Sequence, residues 1–209
     1  MSVQLSSLGE QTQHYAFSAT TLAQALQQMA RLGPQDGDGH HAASCEIRGD
    51  IRQNLQTRIV SGATVQLPEN MGWTATAEIS QATLHYGFVF RFPQWSNVGG
   101  LARAIQTEWQ RYTAALWRHE RGHVRVSMPV VRTYHGSFQS LRIAATGNSG
   151  PTAEQAAERE LRSQVQAVYN EMCYRVQEAS NRYDGNTRHG RSQGAQLRTR
   201  VSASPTRRR

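Results

Sequence analysis

The segment WRHERGHVRV, residues 117–126, contains two histidines separated by three residues, with a glutamate directly after the first. On an α-helix, positions i and i+4 lie on the same face, so His119 and His123 can share one metal ion. Glu120 lies beside them and can contact a metal-bound water without being a ligand. In such HExxH sites Zn²⁺ lowers the pKa of its water and the glutamate accepts the proton. The spacing therefore predicts a hydrolytic zinc site.

A catalytic zinc commonly has a third protein ligand, and the segment YDGNTRHGRSQG offers candidates for it. This segment follows a second predicted helix, and two antiparallel helices would return it to the first. We predict His189 as the third ligand. Asp184 is the alternative ligand, or a partner that orients a histidine N–H. Tyr183 is predicted either to donate a hydrogen bond to the oxyanion or to close the apolar stripe of its helix. His135 is a more distant candidate ligand.

Two long helices are predicted to position these residues. The first has apolar residues every three or four positions from Leu101 onward and continues into HERGH. Pro129 is expected to kink or end it near Arg125–Met128. The second follows a loop at 145–151 and begins at a capping box of Thr152 and Gln155. It is expected to stop near Asp184-Gly185.

The N-terminal half has a different pattern. Residues 13–18 indicate a short strand, and the next segment indicates a helix that stops at Gly33-Pro34. Residues 46–92 contain strand-like runs, including 73–80 and 83–93, that predict three or four antiparallel strands. The loop histidines His40 and His41 are expected to be solvated. The predicted fold class is therefore α+β, with a small antiparallel sheet packed with long helices and a zincin-like HExxH helix.

Charge is unevenly distributed along the chain of 209 residues, whose formal net charge is +8. All 23 basic residues are arginines, and seven of them follow Asp184 without any acidic residue. We predict one domain over residues 1–194 and an Arg-rich disordered tail over 195–209. The alternative for the tail is an arm that binds nucleic acid or an anionic surface. Since no aromatic residues are interleaved with these arginines, a nucleic-acid partner is disfavoured.

Several other classes of protein are disfavoured. The sequence has no apolar stretch of ~18 residues, so no membrane span is expected. The N-terminus lacks a basic region followed by an apolar run, and so does not predict a signal peptide.

Cys45 and Cys173 do not form a CxxC pair and cannot make a thiolate zinc site alone. They are predicted either to form one long-range disulfide or to remain independent thiols. A monomer is expected.

Two segments together resemble the bacterial family catalogued as domain of unknown function 922, described as predicted secreted zinc-dependent proteases. They are HERGH and the pattern Y-D-x-x-T-x-H-G at residues 183–190. FPQW, Phe92 to Trp95, adds to the resemblance, which covers about residues 14–194. The resemblance implies a zincin-like peptidase with ligands His119 and His123, with Glu120 as the base, and with His189 matching the second motif. It also implies export, which the N-terminus does not predict.

The resulting first hypothesis is a zinc metallopeptidase that hydrolyses peptide or protein substrates through a metal-activated water, with Glu120 as the general base. A second hypothesis is a non-catalytic module in which zinc is structural and the Arg-rich tail binds an acidic surface or nucleic acid. A third is a zinc hydrolase that acts on cell-wall peptides.

The sequence departs from the family pattern at one position. Family members have a plain helix after the second histidine, whereas this chain has Pro129 there.

Overall fold

A computed structural model describes residues 2–36, 39–51, 55–66 and 71–201. These residues form an α+β fold, so the predicted class is confirmed. The helices are α1 (Leu22–Leu32), α2 (Arg103–Ser140) and α3 (Gly150–Thr187). The strands are β1 (Ser2–Phe17), β2 (Gln35–Asp36), β3 (Gly39–His40), β4 (Ser44–Asp50), β5 (Gln56–Gln66), β6 (Met71–Trp95) and β7 (Arg142–Gly147).

Strand β6 is the central strand of a five-stranded sheet. It lies between β1 and β4, and both β5 and β7 also pair with it. The pairings with β5 and β7 are antiparallel and place Glu78 opposite Arg58 on one side and Arg142 on the other. The sequence predicted separate strands at 73–80 and 83–93. The two runs form one strand of 25 residues. Ala82 and Leu84, which lie where the runs meet, are fully buried and continue the alternation of side chains without a turn.

The chain divides into two compact units, each built from three chain segments. The first comprises Met1–Leu8, Arg48–Gly87 and Ser127–Glu178. Its core contains fully buried apolar side chains from β6 and from both long helices: Ile79, Leu84, Val131, Phe138 and Leu161.

The second unit comprises Gly9–Ile47, Phe88–Val126 and Ala179–Arg209. Its core is rich in aromatic rings. Trp95 stacks on Phe17 and meets the edge of Trp109, and Trp117 stacks on Phe92 with ring centroids 4.0 Å apart. This packing fixes the part of α2 that carries the HERGH motif.

Helix α2 runs through Pro129, so the predicted end of the helix is wrong, while the alternative of a kink stays a prediction. Proline has no N–H, and the helix therefore lacks the backbone hydrogen bond that residue 129 would make. Val131 and Phe138 beyond the proline are fully buried. The burial of these side chains offsets the missing bond and keeps the second half of α2 helical.

Both ends of α3 differ from the prediction. β7 occupies part of the predicted loop, and the cap is formed by Ser149 and Thr152: the Ser149 N–H donates to Thr152 Oγ1 at 2.9 Å. The helix ends at Thr187 rather than near Asp184-Gly185. A side chain at Gly185 would meet no described atom within 4 Å. This glycine therefore lies on an open face of α3, where it does not interrupt the helix.

Candidate metal centre

Helices α2 and α3 bring together three side chains that can bind a metal ion. His119 and His123 on α2 are buried, and Asp184 on α3 faces both of them. The distance from Asp184 Oδ1 to Nε2 is 3.0 Å for His119 and 3.3 Å for His123. One ligand atom from each residue lies within 4.8 Å of the others. The cluster therefore has the composition and the spacing of a metal site.

Each imidazole uses its other nitrogen for a contact on the far side of the ring. His123 Nδ1 lies 2.6 Å from Ser180 Oγ, and His119 Nδ1 lies 3.3 Å from Gln193 Oε1. Such outer contacts orient metal-binding histidines and determine which nitrogen carries the proton. Here they leave both Nε2 atoms on the side of Asp184.

The face of α3 that meets the histidines follows helical spacing. Ser180, Tyr183, Asp184 and Thr187 recur every three or four residues and therefore lie on one side of the helix. The Tyr183 ring stacks on His119 at 5.2 Å and meets the edge of His123 at 5.1 Å. Tyr183 thus packs against both imidazoles. Its predicted hydrogen bond to an oxyanion stays a prediction.

His189 lies at the exposed edge of the cluster. It follows the end of α3 with a left-handed backbone, φ 51°, as does Arg188. Its Nδ1 is 4.0 Å from Asp184 Oδ1, and its side chain is 55% exposed. The sequence predicted that His189 would lie beside His119 and His123. In the structure Asp184 occupies that position, and His189 is not part of the three-residue cluster. Gly190, with φ 77°, allows the turn to pack on the His119 ring.

Glu120 and Asp184 have different proton affinities. Glu120 is only 3% exposed, and burial raises its pKa. The charges of His123 and His119 lower this pKa, but the effect of burial is larger. Burial would also raise the pKa of Asp184, but hydrogen bonds to His119 and His123 hold it well below its usual range. Asp184 is therefore ionised, as a metal ligand must be. Glu120 is the carboxylate suited to accept a proton.

Three residues near the cluster were not predicted from the sequence: Ser180, Gln193 and His41. The His41 ring centroid is 5.8 Å from that of His189, and the charge of His41 acts on Glu120. The helical spacing of Ser180 and Asp184 could have identified Ser180. His41 and Gln193 lie in irregular segments and carry no such signal. His135, the remaining candidate for the third ligand, is hydrogen-bonded through Nε2 to the carbonyl oxygen of Val3 at 2.8 Å.

Both cysteines are free thiols, which is the second of the two predicted alternatives. Cys173 is exposed and Cys45 is partly buried. Burial, with a smaller contribution from the charge of Glu120, raises the pKa of Cys45 to about 12. Neither thiol belongs to the metal-binding cluster.

Fold and site together define an α+β protein with a candidate metal centre of two histidines and one aspartate on two long helices. The chain belongs to the family DUF922, described as bacterial protein of unknown function, whose family model matches residues 12–190. The matched region contains His119, Glu120, His123 and Asp184. No curated protein and no solved structure matches the chain. Within the described residues, no helix is long and apolar enough to cross a membrane.

Proposed function

We propose that this protein is a zinc-dependent peptidase that hydrolyses peptide bonds with Glu120 as the general base. One observation carries the proposal: the ligand atoms of His119, His123 and Asp184 lie within 4.8 Å of one another, next to a buried glutamate. The Glu120 carboxylate is 4.0 Å from His123 Nε2. It is therefore close enough to act on a group bound at the same centre.

The donor set fits zinc better than a hard cation. Catalytic zinc sites commonly use two histidines and one carboxylate and keep a fourth position open. Magnesium and calcium instead prefer sites made of oxygen ligands. In this site the Nδ1 contacts of His119 and His123 leave Nε2 available on both rings. His119, His123 and Asp184 are thus the residues proposed to hold the ion, with Asp184 rather than His189 as the third ligand.

When bound, zinc would act as a Lewis acid and lower the pKa of a water molecule. Glu120 would accept the proton of that water and then donate it to the leaving amine. Its burial supports this role, because it raises the pKa of Glu120 above that of an exposed glutamate. Tyr183 would hold the two imidazoles in place. Its hydroxyl oxygen accepts from Gln193 Nε2 at 2.9 Å, so its O–H could donate to an oxyanion once it turned away from Gln193 Oε1, 3.2 Å away.

The test is Glu120→Gln, which keeps the shape of the side chain but removes the proton acceptor. We expect the zinc content to remain equal to that of the wild type. Cleavage of a peptide library, followed by mass spectrometry, should fall by about 100-fold or more. Glu160→Gln, on an exposed part of α3, is the matched control and should cleave normally. Unaltered cleavage by Glu120→Gln, or loss of its zinc, would refute the assigned role.

The position of His189 favours one alternative, a structural zinc site. Its Nδ1 is 4.0 Å from Asp184 Oδ1, so a modest movement could make it a fourth ligand and close the site. A hydroxamate needs an open coordination position, and its binding to the zinc-loaded protein distinguishes the two functions. Binding by the wild type supports the peptidase. Binding by His189→Ala alone, without cleavage by the wild type, supports a structural zinc.

A further inference from the structure

A short segment after α3 packs against the candidate metal centre. We call residues 191–198 the C-terminal strap; it begins with a 3-10 turn, Arg191–Gln193. Gly190 and Gly194 on either side of this turn have φ of 77° and 88°, a conformation that glycine adopts readily. The N–H groups of Gln193 and Ala195 both donate to the Gly190 carbonyl, at 2.9 and 3.0 Å. This compact turn places the Gln193 side chain beside His119.

The Gln193 amide bridges two residues of the centre. Its Nε2 donates to the Tyr183 hydroxyl oxygen at 2.9 Å, and its Oε1 lies 3.3 Å from His119 Nδ1. An amide oxygen can only accept a hydrogen bond, so it favours a proton on Nδ1. His119 Nε2 faces Asp184, to which its N–H donates; a metal ion that displaced this proton would bind the lone pair of Nε2 while Nδ1 keeps its own proton. Gln193 thus prepares His119 to bind a metal through Nε2.

Two side chains of α2 clamp the strap through its backbone. Arg111 donates to the carbonyl oxygens of Gly194 at 2.7 Å and Gln196 at 2.6 Å. Glu108 accepts the Arg198 N–H at 2.8 Å and also binds the Arg111 guanidinium. The clamp is itself part of the helix that carries His119, so it sets the position of the strap relative to that ligand.

We infer that Gln193 is a positioning residue that sets the metal affinity of His119, and that Arg111 and Glu108 hold it in place through the C-terminal strap. The inference rests on the metal site of the proposed function but not on its catalytic step. The strap begins just beyond residues 12–190, which the family model matches. Metal binding by this chain therefore depends on residues outside the region that defines its family.

The experiment compares zinc affinities measured by competition with a chromophoric chelator. Gln193→Leu removes both polar contacts and should weaken zinc binding about 10–100-fold, the usual effect of losing a residue that orients a ligand. Gln193→Glu keeps an acceptor for the Nδ1 proton and should bind at least as tightly as the wild type. Gln164→Leu, at a partly exposed position of α3, is the matched control and should leave the affinity unchanged.

Arg111→Leu tests the clamp without altering any side chain of the metal centre, and should weaken zinc binding in the same direction as Gln193→Leu. It also keeps the inference testable if Gln193→Leu does not fold, which thermal melts of the metal-free variants would reveal. The visible spectrum of the cobalt-loaded protein gives a second readout, because a change in ligand geometry shifts its d–d bands. Gln193→Leu should change this spectrum and Gln193→Glu should preserve it.

Wild-type zinc affinity in folded Gln193→Leu would overturn the inference, as would a Gln193→Glu variant as weak as Gln193→Leu. Wild-type affinity in Arg111→Leu would overturn the role of the clamp. If the affinities follow the expected order but no variant cleaves peptides, the peptidase proposal fails and the inference stands. A wild-type protein that binds neither zinc nor cobalt overturns both.

Discussion

The hydroxyl of Tyr183 lies where the side chain of any other residue at position 122 would begin. A Cβ built on Gly122 would overlap the hydroxyl oxygen and the adjacent ring carbons of Tyr183. The glycine within the HERGH motif therefore allows α3 to approach α2 closely, with the tyrosine ring against both imidazoles. Its function is steric, although glycine normally weakens a helix.

Gly122→Ala should destabilise the protein by about 1–3 kcal/mol, because the added methyl overlaps Tyr183 in a packed site. Alanine is otherwise the better helix former, by about 1 kcal/mol. Gly136→Ala on the same helix is the control, since a Cβ there meets no described atom within 4 Å. It should stabilise the protein or leave it unchanged. Urea unfolding measures both free energies.

Tyr183→Ala should partly rescue Gly122→Ala, because it removes both the hydroxyl oxygen and the ring carbons that the new methyl would meet. The double-mutant cycle should give a favourable coupling between the two substitutions. Additive effects, or a Gly122→Ala variant as stable as Gly136→Ala, would contradict the steric role of Gly122.

Asp184→Ala should abolish tight zinc binding, whereas His189→Ala should retain it. Asp184 Oδ1 is within 3.3 Å of both histidine Nε2 atoms, while His189 is half exposed and lies outside the cluster. Zinc content after dialysis, measured by elemental analysis, distinguishes the two variants. The opposite result would restore His189 as the third ligand and make Asp184 its hydrogen-bond partner.

Cys173 should react with iodoacetamide at least about 100-fold faster than Cys45 at pH ~8, because the thiolate is the reactive form. The pKa of Cys45 is raised to about 12 by burial, so very little thiolate is present there. Peptide mapping after timed labelling gives both rates. Equal labelling after unfolding in urea is the control, and a Cys45–Cys173 disulfide in the folded protein would contradict the structure.

Glu78 should make the stability of the protein dependent on pH in the acidic range. Hydrogen bonds from Arg58 lower the pKa of Glu78, and the charges of Arg58 and Arg142 lower it further. Burial acts in the opposite direction but does not outweigh them. A group whose pKa is lower in the folded state stabilises the fold above its unfolded pKa, ~4.3 for glutamate, and this stabilisation is lost as the pH falls through the folded value.

Glu78→Gln should therefore be less stable than the wild type at pH ~7, and the difference should shrink steadily below pH ~4. Urea unfolding at several pH values measures it, with the exposed Glu160→Gln as the control. A difference that stays constant with pH would mean that the charge of Glu78 does not contribute.

The candidate metal centre shows which site residues helical periodicity predicts and which it does not. His119, Glu120 and His123 follow from i, i+4 spacing within one helix, and the structure places them together. The sequence favoured His189 over Asp184 as the third ligand because His189 matches the second motif of the resemblance and follows the predicted end of α3. Because Gly185 signals a helix stop, the sequence placed Asp184 at the end of the helix. The helix continues to Thr187, and Asp184 instead shares a face with Ser180 and Tyr183.

Other features depend on tertiary packing that no local pattern encodes. Pro129 predicted a kink or an end of the helix; α2 does not end there, because the burial of Val131 and Phe138 stabilises its second half. Gln193 reaches His119 only through three left-handed residues, Arg188, His189 and Gly190, and a 3-10 turn, and this backbone path has no distinctive sequence signal. The strap also falls partly within the tail predicted to be disordered. Backbone groups of Gly194, Gln196 and Arg198 in the strap are hydrogen-bonded to α2, whereas residues 202–209 lie outside the described residues.

The length of β6 has a consequence for how this protein can change in evolution. Side chains alternate between the two faces of a strand, so one inserted residue exchanges the faces of everything that follows it. An insertion near Gly87 would move Phe90 and Phe92 away from the face that meets Trp117, and so disturb the helix turn just before His119. Insertions and deletions should therefore accumulate in the connecting loops, while this strand keeps a constant number of residues.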